Sequence, residues 1–345
     1  MAIDAESGVR VHNQHRVQIE AILDRLSKLR VLVVGDLILD EYRAGDVERV
    51  SPEAPVPIVR VLEANLALGG AANVARAAMS LGADCRLVGL AGVDREGDSL
   101  VSLVESLGIS TSGILRTVDR PTTHKLRVVA RGQQMLRLDR EETEPIEVTI
   151  GERLRRTIAD QIEGCDVVVL EDYDKGIFGD GLARWVIEFA RRLEIEVVAD
   201  PKCELARFRG ASLVKPNLEE ATRFVVGSGE SFEARRNLLE KLQHELGGGD
   251  VVVTRGRFGM SGLDELGRGF DAPTRALEVY DVQGAGDTSI AALGLFRAAG
   301  ASLLDACIVA NAAAAVAVEK VGTAAVGSHE VRERLPGILA AYEEE

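Results

Sequence analysis

Short apolar runs that end on small or polar residues recur along this chain, and helically spaced segments separate them. Val31-Leu32-Val33-Val34 closes on Gly35-Asp36, and further runs read as strands at Arg86–Leu90, Val167–Leu170, Glu196–Ala199, Leu213–Val214 and Val251–Thr254. Apolar residues at helical spacing mark Val17–Leu29, a start near Gly70, Gly97–Leu107, Gly151–Ile162, Leu182–Leu193 and Leu218–Val225. A continuously apolar strand is one buried on both faces. Alternating strands and helices imply right-handed crossovers, hence a mostly parallel sheet between two helical layers. The expected fold is three-layer α/β/α. Ligands of such sheets sit outside the carboxyl ends of the strands, where Asp36, Asp172, Asp200, Asn217 and Thr254 to Gly256 fall.

One stretch breaks the rhythm. Tyr42–Leu62 carries short β-prone pieces among Pro52, Pro55 and Pro57. Proline cannot donate to a ladder and is confined to edges, so residues 41–62 read as a small flap beside the main sheet. A hairpin at Thr122–Ala130 and Met135–Leu138, turned through Arg131-Gly132-Gln133, extends that flap over 120–140. The domain reading is a helical lead-in at 1–29, one main domain at 30–330 that includes the flap, and a helix or tail at 331–345.

With 41 basic and 55 acidic residues the net charge is −14, which opposes binding to nucleic acid or an anionic membrane. A small phosphorylated ligand is still accessible, because local amides and cations decide that contact. Cys85, Cys165, Cys203 and Cys307 form no C-x-x-C pair, so reduced, buried thiols are expected. No apolar run reaches the ~18 residues that span a bilayer, and no signal-like stretch occupies the first 30 residues. A cytoplasmic protein is the expectation.

The chemistry concentrates in Asp281-Val282-Gln283-Gly284-Ala285-Gly286-Asp287-Thr288, followed by the small apolar Ile290 to Leu295. Small residues at 284–286 leave backbone N–H groups open to a ligand, and a helix starting there offers its unsatisfied amides to an anion. An acid at the edge of such a site, Asp287, can take a proton from a substrate hydroxyl while the amides hold a migrating phosphoryl group. The alternative is that Asp287 only caps the helix. Gly69-Gly70-Ala71-Ala72-Asn73 opens another helix. Its glycines allow close approach, and Asn73 offers both a donor and an acceptor to sugar hydroxyls, though Gly-Gly before a helix is often just a loop.

Together these segments resemble, in order, both signature patterns of the PfkB (ribokinase-like) carbohydrate kinases. No G-x-x-x-x-G-K-[ST] loop or protein-kinase set accompanies them. Within that family the chain is most similar to D-glycero-β-D-manno-heptose-7-phosphate kinases, from about residue 30 to 330. The resemblance rests on Gly35–Asp40, Ser51–Pro57, Lys125–Arg127, Gln133–Asp139, Asp172–Gly176 and Asp200–Lys202. No nucleotidyltransferase segment follows before Glu345, so a stand-alone kinase is expected.

The resemblance implies the following roles. Asp287 is the base, with Gly284, Ala285 and Gly286 as anion-hole amides. Asn217 and Glu220 form an N-x-x-E element that helps place Mg²⁺ and the phosphates, with Glu220 acting through water. Thr254, Gly256 and Gly259 turn beside the ATP, and Asn311 lies in the helix flanking the adenine. Asp36, Gly69, Gly70 and Asn73 bind the sugar, and Lys125, Arg127 and Lys175 its phosphate. It also implies a homodimer through the flap. Bland alternatives stand beside several of these. Lys175 and Arg127 can be solvated charges, Asp36 can cap a turn, and Asn217 can be a helix cap. Gln283 replaces a threonine usual in the family, which bears on nucleotide or monovalent-cation contacts. The rival readings are a kinase of another sugar or nucleoside and a sugar-phosphate-binding protein without turnover.

Overall fold

The structure is a computed structural model that describes residues 15–274, 282–320 and 325–343. Asp281 and residues 1–14 of the expected lead-in lie outside them. The described part of α1 covers residues 15–23. The strands are β1 (Arg30–Gly35), β2 (Leu37–Val50), β3 (Pro57–Gly70), β4 (Asp84–Gly92), β5 (Ile114–Thr117), β6 (Thr123–Ala130), β7 (Gln133–Arg140), β8 (Val167–Glu171), β9 (Glu196–Asp200), β10 (Leu213–Val214), β11 (Asp250–Thr254), β12 (Met260–Leu263) and β13 (Gly269–Ala272). The remaining helices are α2 (Ala71–Ser80), α3 (Arg95–Ser106), α4 (Val148–Gln161), α5 (Leu182–Arg192), α6 (Leu218–Phe224), α7 (Phe232–Leu246), α8 (Ala285–Ala298), α9 (Leu303–Val318) and α10 (Ser328–Glu343).

The main sheet runs β13-β12-β11-β10-β9-β8-β1-β4-β5. Its pairs from β5 through to β11 are parallel, and β12 and β13 close one edge antiparallel. The alternating residues of β1 explain the two helical layers. Val31 and Val33 face one core with α2, α8 and α9, while Leu32 and Val34 face the other with α4, α5 and α7. The chain builds β4 and β5 on one side of β1 and β8 to β11 on the other. The switch point, where parallel sheets hold ligands, therefore lies between β1 and β8.

The second sheet, ordered β3-β2-β6-β7, is the lid. It is longer than the expected flap, because β2 and β3 pair from Leu37↔Gly70 out to Val50↔Pro57. The prolines explain how. Pro57 opens β3, and Pro52 and Pro55 fall in the tip between the two strands, so no ladder bond is lost. The β6–β7 hairpin turns on Arg131 and Gly132, with φ of 51° and 74°. Positive φ at both positions is the two-residue turn whose twist suits a hairpin, so β7 begins at Gln133 rather than Met135.

The expected boundaries at 29 and 330 are not breaks in the core. Ile19, Ile22 and Leu23 of α1 and Val331, Leu335, Ile338 and Leu339 of α10 are buried in one cluster with α2, α8 and α9. No helix among the described residues is long and apolar enough to cross a membrane.

Candidate active site

Because the strands are parallel, their last residues share one edge, and α8 begins above it. Gly284 adopts φ 74° as the residue before α8, a conformation that a side chain resists. The first helical bond runs from the Thr288 amide to the Gly284 carbonyl, so the amides of Ala285, Gly286 and Asp287 have no partner within the helix. A Cβ on Gly286 would meet nothing within 4 Å; the space beside that amide is open.

Two cavities meet at this turn. One, of about 670 Å³, is lined by Thr254, Gly256, Arg257, Gly259, Thr274, Ala285, Gly286, Ser289 and Asn311, with Ala314, Ala315 and Val318 as its apolar wall. Few polar groups on an apolar wall suit a planar base. Asn311 is anchored there by donating to the carbonyls of Ala272 (2.8 Å) and Pro273 (3.2 Å). The other, of about 420 Å³, lies under the lid and is lined by Asp40, Gly69, Gly70, Lys125, Arg127, Arg137, Tyr173, Lys175, Lys202, Gln283, Gly284 and Asp287. Five of those side chains are cations and two are carboxylates.

Asp287 stands at the junction. It is 4% exposed, and its carboxylate accepts from Asn73 Nδ2 at 2.5 Å and from the Tyr173 hydroxyl at 2.9 Å. Burial pushes its pKa up, against those two donors and the Lys215 charge. Lys215, itself buried, holds Asp200 at 2.7 Å. Glu171 beside it on β8 is 2% exposed, leaves Oε2 without a hydrogen-bond partner, and is pushed well up by burial and by the Asp200 and Asp287 charges.

The lid's pleat places the cations. Asp40 and Tyr42 of β2 register with Lys125 and Arg127 of β6, and Arg127 registers with Arg137 of β7. Lys125 bonds Asp139 (3.1 Å) and Glu141 (2.8 Å), Lys175 bonds Glu141 (2.9 Å), and Arg127 bonds Asp40 (2.5 Å). Arg127 and Lys175 are thus neither bare nor simply solvated.

Other residues expected to face the substrate also have partners within the chain, and of these Gly69 and Gly70 line the lid cavity. Asp36 Oδ2 accepts the amides of Tyr173 (2.8 Å) and Lys175 (3.0 Å), so it holds the loop after β8 and does not line the larger lid cavity. Burial, then the Asp172 charge, raise its pKa to about 7. Both ends of the Asn73 amide are engaged, Oδ1 by Arg76 and Nδ2 by Asp287. A Cβ on Gly69 would stand 2.4 Å from Asp40 Oδ2, so packing of the lid hinge accounts for that glycine.

Asn217 and Glu220 form a capping box. Asn217 Oδ1 accepts from the Glu220 amide and Glu220 Oε2 from the Asn217 amide, both at 2.9 Å, while Lys202 Nζ holds Oε1 at 2.7 Å. Among the described residues no group of three His, Cys, Asp or Glu is arranged to hold a metal. This donor set fits a divalent cation carried by nucleotide phosphates and its own waters, which needs carboxylates only at a distance. Tyr173, Arg76, Arg137, Lys202 and Lys215 had no role in the sequence reading. The period-2 pattern of β7 was the available signal for Arg137.

Residues 28–330 match the pfkB family carbohydrate kinases. The chain belongs to that family. It is thus an ATP-dependent sugar kinase. The chain is 38% identical over 321 residues to the bifunctional protein HldE of Desulfatibacillum aliphaticivorans, covering 92% of this chain and 65% of that protein. It is 43% identical over 314 residues to the bifunctional protein HldE of Pseudomonas entomophila, covering 90% and 64%. The chain therefore spans about two thirds of the length of these relatives. Phosphofructokinase-2 from Escherichia coli, solved in complex with potassium, superposes with a TM-score of 0.75 at 20% identity, covering 90% of this chain and 99% of that one. That likeness establishes the fold.

Proposed function

We propose that this kinase moves the γ-phosphoryl group of ATP to a sugar that already carries a phosphate, with D-glycero-β-D-manno-heptose 7-phosphate as acceptor and the 1,7-bisphosphate as product. The observation that carries the reading is the shared wall. The first turn of α8 closes both the apolar cavity and the cation-lined one, with Asp287 facing the latter. ATP fits the first, with its adenine against Ala314, Ala315 and Val318. A sugar phosphate suits the second, where Lys125, Arg127, Arg137 and Lys175 gather. The resemblance to heptose kinases across the lid supports the choice of sugar.

In this reading Asp287 accepts the proton of the anomeric hydroxyl. The O1–Pγ bond forms as the bond from Pγ to the ADP oxygen breaks, and the 284–286 turn receives the phosphoryl oxygens. Catalysis of this kind is mostly positioning and charge stabilisation. Asn217 and Glu220 would help hold a Mg²⁺ ion through its waters, and that ion would supply further charge neutralisation at the phosphates. The lid excludes bulk water, which would otherwise compete as acceptor. A cytoplasmic location and a homodimer paired through the lid belong to the same proposal.

ADP release with Mg-ATP tests it across heptose 7-phosphate, ribose, fructose, fructose 6-phosphate and adenosine. Strong turnover with the heptose phosphate alone is expected. Turnover with another acceptor retires the heptose while keeping the base and the anion turn. Silence across the panel favours a sugar-phosphate-binding protein without turnover.

A further inference from the structure

Asp287 is held from two sides, and one of the holders lies outside the cavity. Tyr173, in the loop after β8, donates its hydroxyl to Oδ1 at 2.9 Å. Asn73, on α2, donates Nδ2 to the other oxygen at 2.5 Å. Three residues further along α2, Arg76 donates Nε (3.1 Å) and Nη2 (2.6 Å) to Asn73 Oδ1. Arginine has donors only, so it dictates which end of the Asn73 amide turns to the base. The oxygen faces Arg76 and the nitrogen faces the carboxylate. Each Asp287 oxygen keeps a second lone pair for a substrate proton.

We propose that Tyr173 and Arg76 are positioning residues for phosphoryl transfer, Tyr173 acting on Asp287 directly and Arg76 acting through Asn73. The proposal rests on Asp287 being the base. A ring packed only for stability has no need to aim its hydroxyl at the reacting carboxylate. Arg76, drawn partly out of water by burial yet attracted by the Asp287 charge, has in Asn73 a bridge to that carboxylate. The other charged groups around Asp287 are Asp40 from β2, Glu171 and Asp200 from the ends of β8 and β9, Lys215 after β10, and the cations lining the same cavity, Lys125, Arg127, Arg137, Lys175 and Lys202. None of them changes in the variants below. A donor removed from a carboxylate raises its pKa, which gives the proposal a signature that packing loss does not share.

Two measurements read it in Tyr173→Phe, Arg76→Met and Arg76→Lys. The first is the ¹³C titration of the Asp287 carboxyl in the free protein, assigned against Asp287→Asn, and it needs no acceptor. Its midpoint should rise by roughly one pH unit in Tyr173→Phe, rise less in Arg76→Met, and return toward wild type in Arg76→Lys. The second is kcat against pH with Mg-ATP and heptose 7-phosphate. The acid limb should move upward in step, with kcat near neutrality down about 10-fold in Tyr173→Phe and both KM values within about two-fold. An unmoved midpoint in both Tyr173→Phe and Arg76→Met overturns the proposal. So does an effect confined to the acceptor KM, which would make Tyr173 a substrate contact. Full turnover by Asp287→Asn instead removes the base reading itself, so the two failures are distinguishable.

Discussion

Asp36 lies 4% exposed at the end of β1, and the amides it binds belong to the loop that carries Tyr173 and Lys175. A carboxylate in that position trades solvation for order, and its pKa records the exchange, about 7 against an ordinary 3.8. The sign of the linkage follows. Between those values the native state keeps a proton that the unfolded chain has released, so stability falls as pH rises through the window and levels off above about 7. Burial also raises Asp172, Asp200, Asp287 and Glu171, so the wild-type slope is composite. Asp36→Asn isolates one contribution. The urea midpoint should fall less between pH 5 and 7 in the variant than in the wild type, and equal slopes would show that Asp36 is not the titrating group. Were Asp36 a direct sugar ligand as well, the same variant would raise the acceptor KM at fixed pH.

In the lid, strand pairing sets a local conflict that a ligand can resolve. Arg127 and Arg137 are directly opposed across β6 and β7, and like charges in that relation destabilise a sheet. Asp40 and Asp139 offset them in part, at 2.5 Å from Arg127 and 2.9 Å from Arg137. Arg137→Gln should therefore leave the thermal midpoint unchanged or slightly higher. It should raise KM for a sugar phosphate by about 10-fold, the scale of one lost charge-assisted contact, while an unphosphorylated sugar is used no worse. A variant that loses stability without changing KM would place Arg137 in the lid's structure rather than its site. The same strands show what was legible beforehand. The core strands announced themselves because burial on both faces leaves an unbroken apolar run, as in Val167–Leu170. Short β5, β12 and β13 did not, since their four residues each are strand only by virtue of their neighbours. Asp287 and its glycines were legible because a helix start is local. The Tyr173 and Asn73 contacts were not, because they join positions 114 and 214 residues apart in the chain. Asn73, read from the sequence as a sugar contact, bonds Asp287 and Arg76 in the structure.

At the scale of the molecule, the lid has two faces and only one of them is used by the cavity. Along β7 the odd positions Arg137 and Asp139 belong to the cavity side, while Leu136 and Leu138 are 51% and 53% exposed on the other. Leu62 and Leu66 of β3 are 62% and 42% exposed. Isolated surface leucines need no explanation, but each outer strand of this one sheet leaves a pair of them in water. Among the described residues both outer strands, β3 and β7, also have no further strand paired on their outer side, and such edges invite pairing. A second copy satisfies both conditions, since the same lid can meet itself about a two-fold axis. Leu136→Glu together with Leu138→Lys charges that face without touching Arg137 or Asp139. Sedimentation equilibrium should show a dimer for the wild type and a monomer for the double variant. Because the back of each lid would then lose its support, the variant should also bind the acceptor more weakly, while nucleotide affinity, which the proposed function assigns to the cavity lined from α8, α9 and β11, stays within about two-fold. A wild type that sediments as a monomer at all accessible concentrations would leave the lid face without its partner. The cation-lined front would then be held by β2 and β6 alone, whose apolar anchors Leu37, Ile38, Leu39 and Leu126 are buried within this one chain.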